Sequence, residues 1–230
     1  GLVGHWTMSQ DSLKGSLLAD KTPYENDGKI YGATFTTDRM GQPNKAMSFD
    51  GVDDYIDCGN NNSLWSVDLT ISAWINLKLL EAKTKAIVGK AASTGYDRDY
   101  TFYISSVGKL AVWFGYDSLH YFNHSSIDSI NLNKWNHVSF TRNENVVNFY
   151  INGALSGSYE YDFTPTNKNY PLYIGFLSTN VSAPFHGSID DVRIYNRALS
   201  ETEIKTLYNS YNPKIVMKTS LPKIKLYGGD

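Results

Sequence analysis

The chain has 230 residues and a formal net charge of −2, from 21 basic and 23 acidic side chains. It therefore has no basic excess for binding nucleic acid, and it has no run of about 18 apolar residues that would span a membrane as a helix. A single cysteine, Cys58, excludes an intrachain disulfide. The fold must therefore depend on packing or on a metal ion.

Short runs of alternating apolar and polar residues predict a chain made almost entirely of β-strands. Turn residues, such as the Asn-Gly pair at 152–153, separate these runs. The predicted strands are Leu2–Met8, Lys29–Thr34, Ala46–Phe49, Tyr55–Cys58, Leu69–Leu77, Lys85–Lys90, Tyr100–Ser105, Lys109–Tyr116, Asn136–Arg142, Val146–Ile151, Leu172–Phe176 and His186–Tyr195. Many short strands at this spacing are typical of a two-sheet antiparallel β-sandwich or jelly roll.

One short helix is predicted after the last strand. Ser200 and Glu203 have the spacing of a capping box, in which each side chain bonds the backbone N–H of the other residue. Ile204 and Tyr208 then lie on one helical face. We expect this helix to pack against one edge of the sandwich.

The sequence predicts one domain over residues 1–211. Beyond it the chain becomes basic and loses its alternation, with four lysines between residues 212 and 230. We interpret residues 212–230 as a linker or an additional edge strand.

Period-2 alternation also predicts which side chains face away from the core. Trp113 lies between Val112 and Phe114 and must point outward if these two point inward. The same parity turns other aromatic residues outward, and neighbouring strands would then present a shallow platform on which a sugar ring can stack. The residues predicted to bind ligand are Trp74, Tyr103, Trp113 and His137 on strands, with Tyr96, Arg98 and Tyr116 at the rim. The alternative is that loops cover this face and bury the tryptophans.

Several segments resemble the laminin-G-like, concanavalin A-like lectin/glucanase jelly rolls. These segments are Gly1–Trp6, Asp20–Gly28, Gly32–Thr34, Ala46–Ile56, Leu69–Ile75, Trp135–Val138 and Gly187–Ser200. They follow the family's order over about residues 1–211. The resemblance implies an all-β, concanavalin A-like sandwich with one C-terminal helix, and it leaves the activity open because the family has several functions.

The resemblance also implies a structural calcium ion. Relatives often hold Ca²⁺ between an Asp-rich loop and the late Ile-Asp-Asp-Val strand, which here gives Asp20, Asn26 and Asp190 as ligands. Calcium takes six to eight oxygen ligands, carboxylates and carbonyls among them. Lys21–Pro23 departs from the family pattern, where Ser and Gly are usual. The alternative is that Asp20 and Asn26 only form Asx-turns.

No catalytic residues are predicted. Glucanases of this fold carry Glu-x-Asp-x-Glu on one strand, and no such run occurs here. A polysaccharide lyase would need a set of Arg, Gln, His and Tyr on the concave face, and His137 and Tyr103 are the candidates for two of them. We expect a monomeric, non-catalytic module of a larger extracellular or cell-surface protein that binds a poly- or oligosaccharide. The alternatives are an adhesive domain that binds a cell-surface protein and a polysaccharide-degrading enzyme.

Overall fold

The computed structural model describes residues 1–81, 83–92, 96–178 and 183–210. These residues form seventeen strands and one α-helix. The strands are β1 (Leu2–Trp6), β2 (Leu13–Lys14), β3 (Leu17–Leu18), β4 (Gly28–Tyr31), β5 (Thr34–Thr36), β6 (Ala46–Asp50), β7 (Tyr55–Asp57), β8 (Leu69–Leu77), β9 (Lys85–Ala91), β10 (Arg98–Ile104), β11 (Lys109–Gly115), β12 (Tyr121–Ser129), β13 (Asn136–Asn143), β14 (Val146–Ile151), β15 (Ala154–Glu160), β16 (Leu172–Ile174) and β17 (His186–Tyr195). The helix, α1, covers Glu201–Ser210.

The strands form two antiparallel sheets. The eight-stranded sheet has the order β15-β14-β13-β8-β17-β6-β5, with β1 also paired to β17. The nine-stranded sheet has the order β12-β11-β10-β9-β16-β7-β4-β3-β2. This arrangement confirms the predicted all-β sandwich with one short C-terminal helix.

One continuous hydrophobic core lies between the two sheets. It contains Ile71 and Phe140 from the eight-stranded sheet and Phe102 and Val112 from the nine-stranded sheet. The rings of Phe102 and Phe140 meet with centroids 5.1 Å apart. The predicted parity of β8, β10, β11 and β13 is confirmed, because the apolar side chains of the predicted inward set belong to this core, whereas Trp74, Tyr103 and Trp113 do not. Each sheet thus has an inner face on the core and an outer face directed away from it.

A backbone crossing divides the outer face of the nine-stranded sheet. Residues 176–177 pass over Gly89 of β9, where an added Cβ would lie 2.3 Å from the carbonyl oxygen of Leu177. Phe176 stacks on Tyr55 of β7 with ring centroids 5.5 Å apart. Glycine at position 89 therefore permits the close approach, and Tyr55 helps to hold the crossing in place.

Helix α1 lies on the outer face of the eight-stranded sheet. Glu203 N donates to Ser200 Oγ at 3.3 Å, and Ser200 N donates to Glu203 Oε2 at 2.8 Å, which confirms the predicted capping box. Ile204 packs with Tyr150 of β14 in a small apolar cluster. The prediction that the helix packs against a sheet edge is therefore wrong, because its apolar side covers a sheet face.

The largest differences from the predicted strands are at sheet edges. Sequence alternation did not predict β2, β3, β5, β12 and β15. Strand β12 contains mostly polar residues, and it pairs along only one side because it lies at the edge of its sheet. Edge strands bury fewer apolar side chains, so their alternation is weak. Three predictions, Leu69–Leu77, Val146–Ile151 and His186–Tyr195, agree with the observed bounds.

In the part of the chain that the structure describes, no helix is both long and apolar enough to cross a membrane. The prediction for residues 212–230 lies outside the described residues.

Candidate functional site

A cavity of about 270 Å³ opens on the outer face of the nine-stranded sheet, on one side of the backbone crossing. We call it the outer pocket. Strands β9 to β12 supply its floor, and the segments between β16 and β17 supply one wall. The lining residues are Thr84, Ala86, Arg98, Thr101, Tyr103, Trp113, Asn123, Leu177 and Ala183.

Cross-strand register places three of these residues side by side. Asn123 of β12 pairs with Trp113 of β11, and Trp113 pairs with Thr101 of β10. Thr101 in turn pairs with Gly89, the position beneath the backbone crossing. Residues in one cross-strand row point to the same face, so the row leads from the exposed edge to the pocket wall.

Trp113 is the partly exposed aromatic residue of the outer pocket. The guanidinium carbon of Arg98 lies 3.9 Å from the ring centre of Trp113, which is a cation–π contact. Tyr96 meets Trp113 edge-on with centroids 6.0 Å apart, and Tyr96 also contacts Tyr121. The structure therefore brings together four of the predicted ligand-binding residues, Trp113, Arg98, Tyr96 and Tyr103.

Tyr103 has its hydroxyl fixed within the outer pocket. The hydroxyl donates a hydrogen bond to Asn123 Oδ1 at 2.7 Å. Burial raises the pKa of Tyr103, because removal from water disfavours the phenolate. The hydroxyl is therefore protonated at neutral pH, and its oxygen can still accept a hydrogen bond within the outer pocket.

Trp74 and His137 do not join this platform, which corrects the prediction. Their strands, β8 and β13, belong to the eight-stranded sheet, so both residues lie on the opposite outer face. Trp74 is covered by Tyr208 of α1, with centroids 5.8 Å apart, and by Arg39 at 4.8 Å. His137 packs against Trp74 at 5.3 Å, and burial lowers the pKa of His137 to about 4.

Tyr116 also lies away from the outer pocket. Its ring stacks on His120 with centroids 4.9 Å apart and meets Phe163 edge-on. The pocket lining does not include it. The prediction of Tyr116 as a rim residue is therefore not supported by its position, because β11 ends at Gly115 and the chain turns away there.

The predicted calcium ligand Asp20 is occupied by hydrogen bonds within its own loop. Its Oδ1 accepts from His5 N at 2.9 Å and Thr22 N at 3.0 Å. Its Oδ2 accepts from Thr22 Oγ1 at 2.8 Å and Asn26 N at 3.0 Å. The bond from Thr22 N, two residues further along the chain, is that of an Asx-turn, and the other three donors fill the remaining acceptor positions of the carboxylate. These hydrogen bonds stabilise the loop.

The other two predicted ligands have different partners. Asn26 Nδ2 donates to Val3 O at 2.9 Å, and Asp190 forms a buried ion pair with Arg39. A guanidinium on Asp190 would repel Ca²⁺, so Asp20, Asn26 and Asp190 do not fit a calcium site in this arrangement. Strand β17 has a bulge after Asp190, where Asp191 adopts φ +49°. The bulge changes where these two carboxylates point.

Among the described residues, one cluster holds three carboxylates whose oxygens lie within 4.8 Å of one another, Asp50, Asp53 and Asp54. Asp54 Oδ2 accepts from Asp50 N at 2.8 Å, and Asp50 Oδ1 accepts from Val52 N at 2.8 Å. These bonds close the turn between β6 and β7. The cluster is therefore explained by turn formation.

Sequence reasoning did not single out Thr84, Ala86, Leu177 and Ala183 as lining residues. Leu177 and Ala183 lie in the connection between β16 and β17, far from the pocket floor along the chain. The sequence feature that could have indicated this wall is Gly89, since glycine inside a strand often marks the close approach of another backbone.

Comparison with known proteins places the chain in a family. The family model described as the concanavalin A-like lectin/glucanases superfamily matches residues 50–205. No curated protein shows significant similarity to the chain.

Solved structures share the fold at low sequence identity. The binding domain of Paraclostridial Mosquitocidal Protein 1 aligns with a TM-score of 0.71 and 22% identity, over 91% of this chain and 52% of that chain. Domain 4 of AbnA, a GH43 extracellular arabinanase from Geobacillus stearothermophilus in complex with arabinotriose, gives 0.71 and 21%, over 90% and 98%. The botulinum neurotoxin serotype D binding domain gives 0.66 and 18%, over 91% and 50%. The chain thus spans about half of each toxin binding domain and nearly all of the arabinanase domain.

Proposed function

The chain belongs to the concanavalin A-like lectin/glucanase superfamily, and from this membership we propose that it is a carbohydrate-binding module whose ligand occupies the outer pocket. The observation that carries the proposal is the position of Trp113, a partly exposed indole in an aromatic cavity on a sheet face. Binding sites for small molecules are commonly concave, with mostly apolar walls and a few fixed polar groups.

The chemistry of the outer pocket suits a sugar. An aromatic ring packs against the C–H groups of a pyranose or furanose, while polar side chains bond its hydroxyls. Trp113 and Tyr103 supply the rings, and Thr101 and Asn123 supply the polar groups. Domain 4 of the arabinanase, which has the same fold, was solved with arabinotriose. We infer that this chain serves as a non-catalytic carbohydrate-binding module of an extracellular protein.

An enzyme is less consistent with the described residues. The candidates for a lyase-type pair, His137 and Tyr103, belong to different sheets. Glycoside hydrolysis usually needs two carboxyl groups, and the described lining of the outer pocket contains neither Asp nor Glu. The alternative function is protein binding, and a glycan array distinguishes it from carbohydrate binding.

The test is a glycan array followed by titration calorimetry with the glycans that bind. Replacement Trp113→Ala is expected to weaken binding by about 1–3 kcal/mol, as for a central aromatic residue in an interface. Affinity for a single site should be modest and should increase when ligand repeats are presented together.

The matched control is Tyr24→Ala. Tyr24 is 47% exposed and is not part of the pocket lining, so its loss should leave binding unchanged. Melting curves establish that both variants fold. The proposal is wrong if no glycan binds the wild-type module, or if Trp113→Ala binds as tightly as the wild type.

Calcium is not part of the proposed site, because the predicted ligands have other partners. Calcium binding stays a prediction of the sequence, and thermal melts with Ca²⁺ and with a chelator test it. A calcium-dependent rise in Tm would require a ligand set other than Asp20, Asn26 and Asp190.

A further inference from the structure

The outer pocket holds buried polar atoms that have no partner among the described residues. Trp113 Nε1 and Thr101 Oγ1 are both buried and make no hydrogen bond there. An indole N–H can only donate, and a threonine hydroxyl can donate or accept. A buried polar group without a partner costs about 1–3 kcal/mol. Trp113 Nε1 and Thr101 Oγ1 are polar atoms of the pocket lining whose hydrogen-bonding capacity no described residue uses.

The described lining of the outer pocket carries positive charge and no negative charge. Arg98 is its only ionisable group with a charge at neutral pH among the described lining residues, none of which is acidic. The side chain is 6% exposed and lies on the ring of Trp113. A guanidinium carries five N–H donors in a planar fork and keeps its charge when buried. Away from bulk water, such a cation attracts an anion more strongly than at the surface.

The remaining polar groups favour a sugar that carries an anion over a bare anion. The Tyr103 hydroxyl donates to Asn123, so its oxygen can still accept from a ligand hydroxyl. The amide of Asn123 adds an NH₂ donor. The pocket therefore combines an aromatic surface, several donors, the hydroxyl oxygens of Tyr103 and Thr101 as acceptors, and a cation.

We propose that the outer pocket selects an acidic saccharide and pairs the carboxylate of a uronic acid residue with Arg98. This inference rests on the proposed function. A carboxylate matches the guanidinium fork, and charge-assisted hydrogen bonds are roughly twice as strong as neutral ones. A neutral sugar could stack on Trp113 equally well, but it would offer Arg98 only neutral acceptors.

The charged residues on the cross-strand row of Trp113 are Asp57 of β7 and, beyond it, Lys29 of β4, and they lie too far from the outer pocket to oppose this selection. Asp57 of β7 follows Trp113, Thr101, Gly89 and Tyr173 along the row. Arg98 lies on β10, three strand spacings of about 4.8 Å from β7. This distance of roughly 14 Å exceeds the Debye length of about 8 Å at physiological salt. Asp57 is therefore largely screened from an anion at Arg98.

The test uses pairs of oligosaccharides that differ only in charge, namely trigalacturonate and triglucuronate, each against its fully methyl-esterified form. The acid of at least one pair is expected to bind at least tenfold more tightly than its ester. This preference should fall as salt rises from 50 to 500 mM, while binding of the ester should change little.

Variants assign the preference to a residue. Arg98→Gln should bind the acid and the ester with equal affinity, and Arg98→Lys should keep part of the preference. The matched control is Arg197→Gln, which removes an arginine paired with Glu203 far along the chain from the pocket and should keep the full preference. If Arg98→Gln does not fold, the acid-to-ester ratio and its salt dependence in the wild type still decide the proposal.

The outcomes separate this inference from the proposed function. Trp113-dependent binding of neutral glycans, with no gain from the carboxylate in either pair, overturns the acidic selection and leaves carbohydrate binding intact. A preference that persists in Arg98→Gln also overturns it. Failure of every glycan on the array overturns both.

Discussion

The two outer faces of the sandwich carry the same kind of sequence signal and differ in what covers them. Trp74 and Trp113 both alternate with buried aliphatic residues, so both point away from the core. Helix α1 and Arg39 cover Trp74, which is 6% exposed. Trp113 stays partly exposed in a cavity. Outward orientation alone therefore does not make a residue available to a ligand. Availability also depends on whether an element distant in the chain covers the residue.

The covered face has the charged groups of a buried network. Asp190 pairs with Arg39, and Asp191 bonds His5 Nε2 at 2.8 Å and Arg193 Nε at 3.0 Å. Burial raises the pKa of Asp190 to about 7. The open face has instead a single cation, Arg98, in its described pocket lining. The first arrangement stabilises structure, and the second is suited to a ligand.

The largest loss of stability is predicted for replacement of Trp74. Replacement Trp74→Ala should lower the free energy of unfolding by about 3–5 kcal/mol, because it leaves a cavity beneath α1. Urea denaturation measures the loss. An effect below about 1 kcal/mol would show that the helix does not pack on this face as described.

The next effect concerns acid stability of the covered face. The folded-state pKa of His137 is about 4, below the ordinary 6.5, so the unfolded chain takes up this proton first. Stability from His137 is therefore lost as pH falls from 6.5 towards 4, by roughly 3 kcal/mol. Asp190 acts in the opposite direction, because its raised folded-state pKa favours proton uptake by the folded chain between pH 7 and 4.

Comparison of the wild type with His137→Gln isolates the histidine, because Asp190 contributes to both proteins. The difference in unfolding free energy between them should shift by roughly 3 kcal/mol in favour of the variant from pH 6.5 to 4. A constant difference across this range would mean that His137 is solvated.

Trp113→Ala should cost less stability than Trp74→Ala. Trp113 keeps contact with solvent, so its loss should lower the free energy of unfolding by about 1–2 kcal/mol. Denaturation of the two variants side by side checks the ranking. Equal losses would place Trp113 in a closed layer and would remove the basis for a site there.

The smallest effect is expected at the start of α1. Ser200→Ala removes one half of the capping box and should cost about 1 kcal/mol. Binding at the outer pocket should not change, because the helix lies on the other sheet. Altered ligand affinity would show that the two faces communicate.

The sequence was sufficient for most of the interior strands, for the capped helix and for the face to which the side chains of regular strands point. Alternation fixes the side of a sheet to which Trp113 points, because period 2 is a property of the strand itself. Alternation does not say which sheet a strand joins. For this reason the sequence prediction places Trp74 and Tyr103 on one face, although their strands belong to different sheets. The ion pair between Asp190 and Arg39 could not be predicted from the sequence either, since Arg39 is 151 residues away along the chain.

Gly89 has a consequence for how such a module can change its ligand. The bare backbone at this position lets residues 176–177 rest on the sheet, so one wall of the cavity comes from a surface connection and its floor from paired strands. Loops accept substitutions and insertions more readily than paired strands do. Grafting a different connection between β16 and β17 could thus reshape the wall while the register beneath it is retained. The module is a candidate scaffold for engineered sugar recognition, provided that position 89 remains glycine.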